Sequence, residues 1–193
     1  MNIFVLDLDF KLNAQYHVDQ HVVKMPTEAA QMLCTIYRLK HGQKCDIHEL
    51  TLDHKLIYKK DFYVVDTDEV KLKQGKLILL NKKIMAVSHP NHPCTLWAGK
   101  SKSNWLWLRK YALSLNKEWQ YRYGHIKNHL AINRIIQTPI PEIPDIGLTD
   151  FVQAMPDIYK NKDAVTAYRQ YYFGEKQHLV KYRKRNIPSW LVG

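Results

Sequence analysis

Tyr16-His17-Val18-Asp19-Gln20-His21-Val22-Val23-Lys24-Met25-Pro26-Thr27-Glu28-Ala29-Ala30-Gln31 carries two helical periodicities side by side. Val18, Val22, Met25, Ala29, Met32 and Ile36 recur at spacings of three and four, which predicts an amphipathic helix laid on a core. His17, His21, Lys24, Glu28 and Gln31 follow the same period beside it. At about 100° per residue those five side chains fall within roughly 80° of one another. Two imidazoles, an ammonium, a carboxylate and an amide thus line the border of a buried face. Such a row suits proton transfer or an anionic substrate, and the alternative is an ordinary solvated face. Pro26 has no N–H for the carbonyl of Val22, so the helix is expected to kink there or to restart with Pro26 in its first turn.

Outward from this stretch, residues 2–8 are apolar and β-branched enough for a short extended segment, and Gly42 is placed to stop the helix. Residues 43–87 differ in character. Phe62-Tyr63-Val64-Val65 and Leu77-Ile78-Leu79-Leu80 read as strands separated by Asp66-Thr67-Asp68 and Gly75, predicting a small β-hairpin insertion. An exposed loop with little order is the alternative. The prolines of Ser88-His89-Pro90-Asn91-His92-Pro93-Cys94-Thr95-Leu96-Trp97 are expected to exclude a helix and hold a stiff turn presenting His89 and His92.

The clearest helix spans 102–123. Trp105, Leu108, Ala112, Leu115 and Trp119 form its core stripe, Ser101 or Ser103 its cap and Gly124 its stop. Residues 138–147, with Pro139, Pro141 and Pro144, predict an irregular crossing. Short helices are expected over Thr149–Met155 and Lys162–Phe173. The class is mainly α, a single helical domain over 1–193 with a small β element.

The chain has 193 residues, and Lys plus Arg exceed Asp plus Glu by 29 − 18 = 11. That surplus favours a polyanionic partner, nucleic acid before an anionic membrane surface. The last stretch concentrates it. Residues 160–185 carry eight Lys/Arg interleaved with Tyr168, Tyr171, Tyr172 and Tyr182. Cations neutralise phosphates and aromatic faces can stack on bases. Lys181, Arg183, Lys184 and Arg185 are the candidates for phosphate contact, joined by His17, His89 and His92 for the nucleic-acid face. Tyr168 and Tyr172, four apart, are expected in the core with hydroxyls bonded at its rim.

Three widely spaced cysteines without a CxxC pair argue against a disulfide framework or a thiolate zinc site, and suit a reducing cytoplasm. The start does not read as a signal peptide and no stretch approaches a bilayer span, so no membrane partner is expected.

Asp19-Gln20-His21-Val22-Val23, with Glu28 seven residues after the His, resembles the first helix of the pyrimidine-dimer DNA glycosylases of the phage endonuclease V type. There a similar Asp-Gln-His-apolar-apolar run precedes a catalytic Glu at the same distance. The order of parts is also similar: an extended start, this helix, a later basic helix, and a tail with Arg185, Pro188 and Trp190. About a third of the chain is covered. The His/Asp/His/Lys run and Asn91-His92-Pro93-Cys94 are also similar to phage proteins of unassigned function, which would place the chain in the cytoplasm of an infected cell.

The resemblance implies a glycosylase with lyase activity on double-stranded DNA whose damaged or modified base is extruded. A backbone α-amine, at Met1 or Asn2, attacks C1′ of the sugar; Glu28 serves as the carboxylate and His21 sits beside the substrate. α-Amines titrate near pH 8, so part of the population is nucleophilic at neutral pH. Two departures stand out. Asn2 is bulkier than the small residue the family exposes after Met removal, and Thr27 and Gln31 stand where the family has arginines. Lys24 can compensate as a phosphate ligand, or as the amine itself if buried near His17 and His21. This reading calls for no cofactor and no metal.

Two alternatives follow from the same residues. His17 and His21, read as four apart on one helix, can share a metal with Asp19, His89 or His92 in a phosphodiester or nucleotide hydrolase. A non-catalytic nucleic-acid-binding protein is the other.

Overall fold

α4, Lys102–Tyr123, forms as its spacing predicts. The Ser101 hydroxyl caps it by accepting the Ser103 N–H, and Gly124 ends it at φ +72°. Its apolar stripe of Trp105, Leu108, Ala112 and Leu115 is fully buried. Trp119, the last of that stripe, is half-buried and stacks on His125 instead.

α2, Asp19–His41, lies along α4 and supplies Met25, Ala29, Ala30, Met32 and Leu33 to the same core. It continues through Pro26, so a restart there, the second of the two expected outcomes, does not occur. The missing hydrogen bond costs about 3 kcal/mol. Burying this row of aliphatic side chains, at roughly 1.5–3 kcal/mol each for the larger ones, outweighs it. Gly42 ends α2, its N–H donating to the Arg38 carbonyl.

The structure, a computed structural model, describes residues 1–45, 51–52, 55–56, 62–73 and 76–192. Among them are four further helices: α1 (Phe10–Tyr16), α3 (Pro93–Lys100), α5 (Leu130–Gln137) and α6 (Ala164–Glu175). α1 begins where the Asp9 carboxylate accepts the N–H groups of Lys11 and Leu12. α3 corrects the expectation that the two prolines exclude a helix. Pro93 takes the first helical position, which needs no N–H, and His92 caps it by accepting the Cys94 N–H. The C-terminal helix starts at Ala164, capped by Asp163, close to its predicted start. No helix forms over residues 149–155, which run irregularly after the proline crossing.

The β element consists of antiparallel pairs: β1 (Gln43–Cys45) with β4 (Phe62–Val64), β2 (Thr51–Leu52) with β3 (Lys55–Leu56), and β5 (Glu69–Lys73) with β6 (Lys76–Asn81). Gly75, expected to separate strands, lies outside the described residues. Arg38 ties this element to α2. Its guanidinium is fully buried, grips Asp68 through two bonds of 2.6 and 2.8 Å, and donates to the carbonyls of Ile84 and Met85. The fold is mainly α with a small β insertion.

Residues 2–8 form no strand. They thread the core instead, with Ile3, Val5 and Leu6 fully buried, and Asn13 accepts the Leu6 N–H. The start of the chain is thereby pinned against α2 and α6. Among the described residues no helix is long and apolar enough to cross a membrane.

Candidate active site

Glu28 is where the opening row and the start of the chain meet. It sits mid-way along α2, 7% exposed. Its Oε2 accepts the Asn2 backbone N–H at 2.9 Å and lies 3.9 Å from the Met1 α-amine. Its Oε1 pairs with Lys24 Nζ at 2.9 Å, one helical turn back. Asn2 is held in turn: its side-chain amide donates to the Ala154 carbonyl, and its Oδ1 accepts the Ile3 N–H. The backbone here is fixed by contacts on both sides, so the approach to Glu28 is built in.

Lys24 is 64% exposed, so the condition for it to act as a buried nucleophile is not met. Its place is on the rim of the site. His92, the cap of α3, feels the charges of this site. Burial and the nearby Met1 amine hold its imidazole below the usual value, with Glu28 opposing them. His89 is exposed and bonds the Ser88 hydroxyl at 2.7 Å. The start of the chain and Glu28 with Lys24 thus meet in direct contact, and His92 lies within reach of their charges.

The two other histidines of the row belong to the floor. His17 is not on α2 at all: it ends α1 in an extended conformation, with Val18 between the two helices. It is fully buried, Nδ1 bonds the Asn13 carbonyl at 2.7 Å and Nε2 bonds the Tyr111 hydroxyl at 2.9 Å. Contact with nucleic acid is therefore closed to it. His21 lies under Phe4, ring stacked on ring at 4.6 Å, with Nδ1 bonded to the Tyr172 hydroxyl. A metal shell on His17 and His21 also fails on this geometry, because both His17 nitrogens are engaged. Among the described residues no three His, Cys, Asp or Glu side chains converge as ligands.

Desolvation sets the charge of both buried histidines. It lowers His17 to about 3 and His21 to about 4, so both are neutral at pH 7. Unfolding returns them to about 6.5, where they bind protons more readily than in the fold. Their contribution to stability is therefore complete above that value and is lost progressively as pH falls from it to the folded values of about 3 and 4. Each loses about 1 kcal/mol between pH 6 and pH 5, together about 2 kcal/mol. Urea unfolding at the two pH values reads this directly; a flat profile would show that the imidazoles ionise inside the fold.

Among the described residues three non-glycines adopt positive φ: Phe4 (+27°), His89 (+49°) and Lys184 (+56°). For Phe4, a bulky side chain, this conformation is strained by about 1–3 kcal/mol. One lies in the chain start, one in the His89–His92 turn and one in the basic tail. Among the described residues, positive φ at non-glycine positions thus falls in the segments that carry candidate residues.

The tail approaches the other end of α2. The Asp19 N–H donates to the Lys181 carbonyl, and the Asp19 carboxylate accepts the Arg183 N–H at 2.9 Å. From Asp19 to Glu28 is nine residues, about 14 Å along the helix axis. The side chains of Lys181, Arg183 and Lys184 are exposed, Arg183 over the Tyr123 ring and Lys184 over Tyr121. Arg185 departs from its assigned role. It grips both oxygens of Glu118 at 3.0 and 2.9 Å, and its charge is already balanced. Tyr168 and Tyr172 are fully buried, as their spacing predicts.

Comparison of the chain with known protein families, with curated proteins and with solved structures finds no match. The geometry therefore stands on its own. The helical row pointed to Glu28 and Lys24, and the proline-bounded turn to His92. Periodicity alone gave no sign that Asn2 and Met1 close on Glu28, a contact across 26 residues that only the resemblance led one to expect.

Proposed function

We propose that this protein is a DNA glycosylase/AP lyase-like enzyme acting on damaged or modified bases, with an α-amine at the start of the chain as nucleophile and Glu28 as its carboxylate. One observation carries the reading. The Glu28 Oε2 lies 2.9 Å from the backbone nitrogen of Asn2 and 3.9 Å from that of Met1. Whether Met1 or, after its removal, Asn2 supplies the amine, the nitrogen sits beside the same carboxylate oxygen. Reactive groups held at this separation need no further ordering, which is where much of a barrier can be saved.

The chemistry follows from those two groups. The neutral amine attacks C1′ of the deoxyribose, and the bond from C1′ to the base nitrogen breaks. The base leaves with the electron pair and takes up a proton. Loss of the amine protons and opening of the sugar ring give an imine. Glu28 then removes a C2′ proton, and the C3′–O bond breaks with departure of the phosphate. Water hydrolyses the imine and frees the amine. Lys24 at the rim and Lys181, Arg183 and Lys184 at the far end of α2 are placed to hold phosphates of the same duplex.

Duplex DNA bearing a single abasic site tests the lyase half without knowledge of the base removed. Strand scission leaving a 3′-unsaturated aldehyde, undiminished by a chelator, is expected. Intact strands under these conditions, or scission that the chelator abolishes, would count against the amine mechanism.

A further inference from the structure

Between Val70 and Pro141 the sequence contains one acidic residue, Glu118, and that carboxylate is buried between Arg122 and Arg185. The turn from α4 to α5 lies in this uniformly basic stretch. Its tip is apolar. Ile126 is 96% exposed and Leu130 81% exposed, with Lys127 between them.

Exposed aliphatic residues at loop tips are common where the loop is loose. This one is lashed down. Asn116 on α4 binds the tip twice, its amide donating to Asn128 Oδ1 at 2.8 Å and its Oδ1 accepting the His129 N–H at 2.9 Å. Gln120, one turn further, donates to the carbonyls of Ile126 and Lys127 at 3.1 and 3.3 Å. Trp119, between them on the helix, stacks on His125 at 3.9 Å and meets His129 edge-on. Three side chains of α4 thus hold Ile126 outward against the hydrophobic effect, which would otherwise fold it back.

The tip is also continuous with the basic tail. Arg183 lies over the Tyr123 ring, Tyr123 stacks with His125, and His125 stacks on Trp119. The exposed cations of the tail and the rigid apolar tip therefore share one surface.

We propose that Ile126 is a wedge that enters the base stack of duplex DNA while Arg183, Lys184 and Lys127 hold the flanking phosphates. Apolar side chains inserted at a base step unstack it and kink the duplex, and the electrostatic contacts offset the cost. Ile126 is thus a positioning residue: it opens a base step of the bound duplex. The proposal rests on the glycosylase reading only in taking duplex DNA as the partner.

The test uses the full chain and a set of duplexes carrying a reduced abasic-site analogue, with 2-aminopurine placed at successive positions around it. Wild-type protein should raise 2-aminopurine emission several-fold at one step. Ile126→Ala should abolish that rise, and Ile126→Leu should restore it. Ile158→Ala, a control at another highly exposed isoleucine, should leave the rise intact. A rise that survives in Ile126→Ala, or no rise at any position with wild type, overturns the wedge. Pelleting of wild type but not Ile126→Ala with anionic vesicles, with no emission change, would overturn it in favour of a membrane contact. The two readings fail separately. An imine trapped by borohydride without any emission change removes the wedge alone, and an emission change without a trapped imine removes the chemistry alone.

Discussion

Glu28→Gln is expected to slow β-elimination at an abasic site by about 10²–10⁴-fold, the usual contribution of a positioned acid–base group. The substitution is nearly isosteric. A glutamine oxygen can still accept the Asn2 N–H, so the backbone beside the site keeps its anchor. What is lost is the charge beside the Met1 amine and the capacity to take the C2′ proton. The ion pair with Lys24 is lost too, but with Lys24 exposed it contributes no more than about 1 kcal/mol. The melting temperature and duplex affinity should therefore stay close to wild type while the single-turnover rate collapses. A rate that holds while stability falls would make Glu28 an anchor for the chain start and nothing more.

Arg122→Met is expected to cost about 3–5 kcal/mol of stability, the range for breaking a buried ion pair from one side. Arg122 is fully buried. Its Nε binds Glu118 at 2.6 Å, one Nη binds Asp19 at 2.9 Å, and the other donates to the Gln15 carbonyl at 2.8 Å. Its guanidinium also lies over the Tyr182 ring. Through Asp19 and Glu118 it joins α1, the start of α2, the end of α4 and the basic tail. Methionine fills the space but leaves the Asp19 carboxylate and the Gln15 carbonyl short of partners. The urea midpoint should fall, and trypsin should cut the 181–185 segment sooner. A loss below about 1 kcal/mol would mean that water or a rearranged tail satisfies those groups.

How much of this was legible before folding depends on the range of each contact. α4 was legible in its bounds and in its stripe up to Leu115, because that stripe, its serine cap and its glycine stop are all local, whereas Trp119 turns to His125. α2 was legible in its apolar stripe and its stop at Gly42, but the choice between continuing and restarting at Pro26 was not. There tertiary packing of Met25, Ala29 and Met32 overrides a local rule. The phase of the polar row misplaced His17, since nothing in the periodicity marks Val18 as the break between two helices. α1 and α5 are short, and each starts on a single capping side chain, Asp9 and His129, which a search for long periodic runs passes over.

The site divides in the same way. Glu28 and Lys24 share one helical turn, so their pairing follows from spacing. Arg185 reads from the sequence as a phosphate contact because its partner Glu118 is 67 residues away and no local pattern connects them. The meeting of Asn2 with Glu28 needed the whole core. Ile3, Val5 and Leu6 must be buried before the chain start is brought to α2.

The most direct measurement is borohydride reduction of the protein with abasic duplex, followed by peptide mapping of the adduct. A stable protein–DNA adduct should form in wild type, with the reduced sugar on the N-terminal peptide and carried by its α-nitrogen. Absence of an adduct, or an adduct mapped to Lys24 or another side-chain amine, would contradict the role given to the chain start beside Glu28.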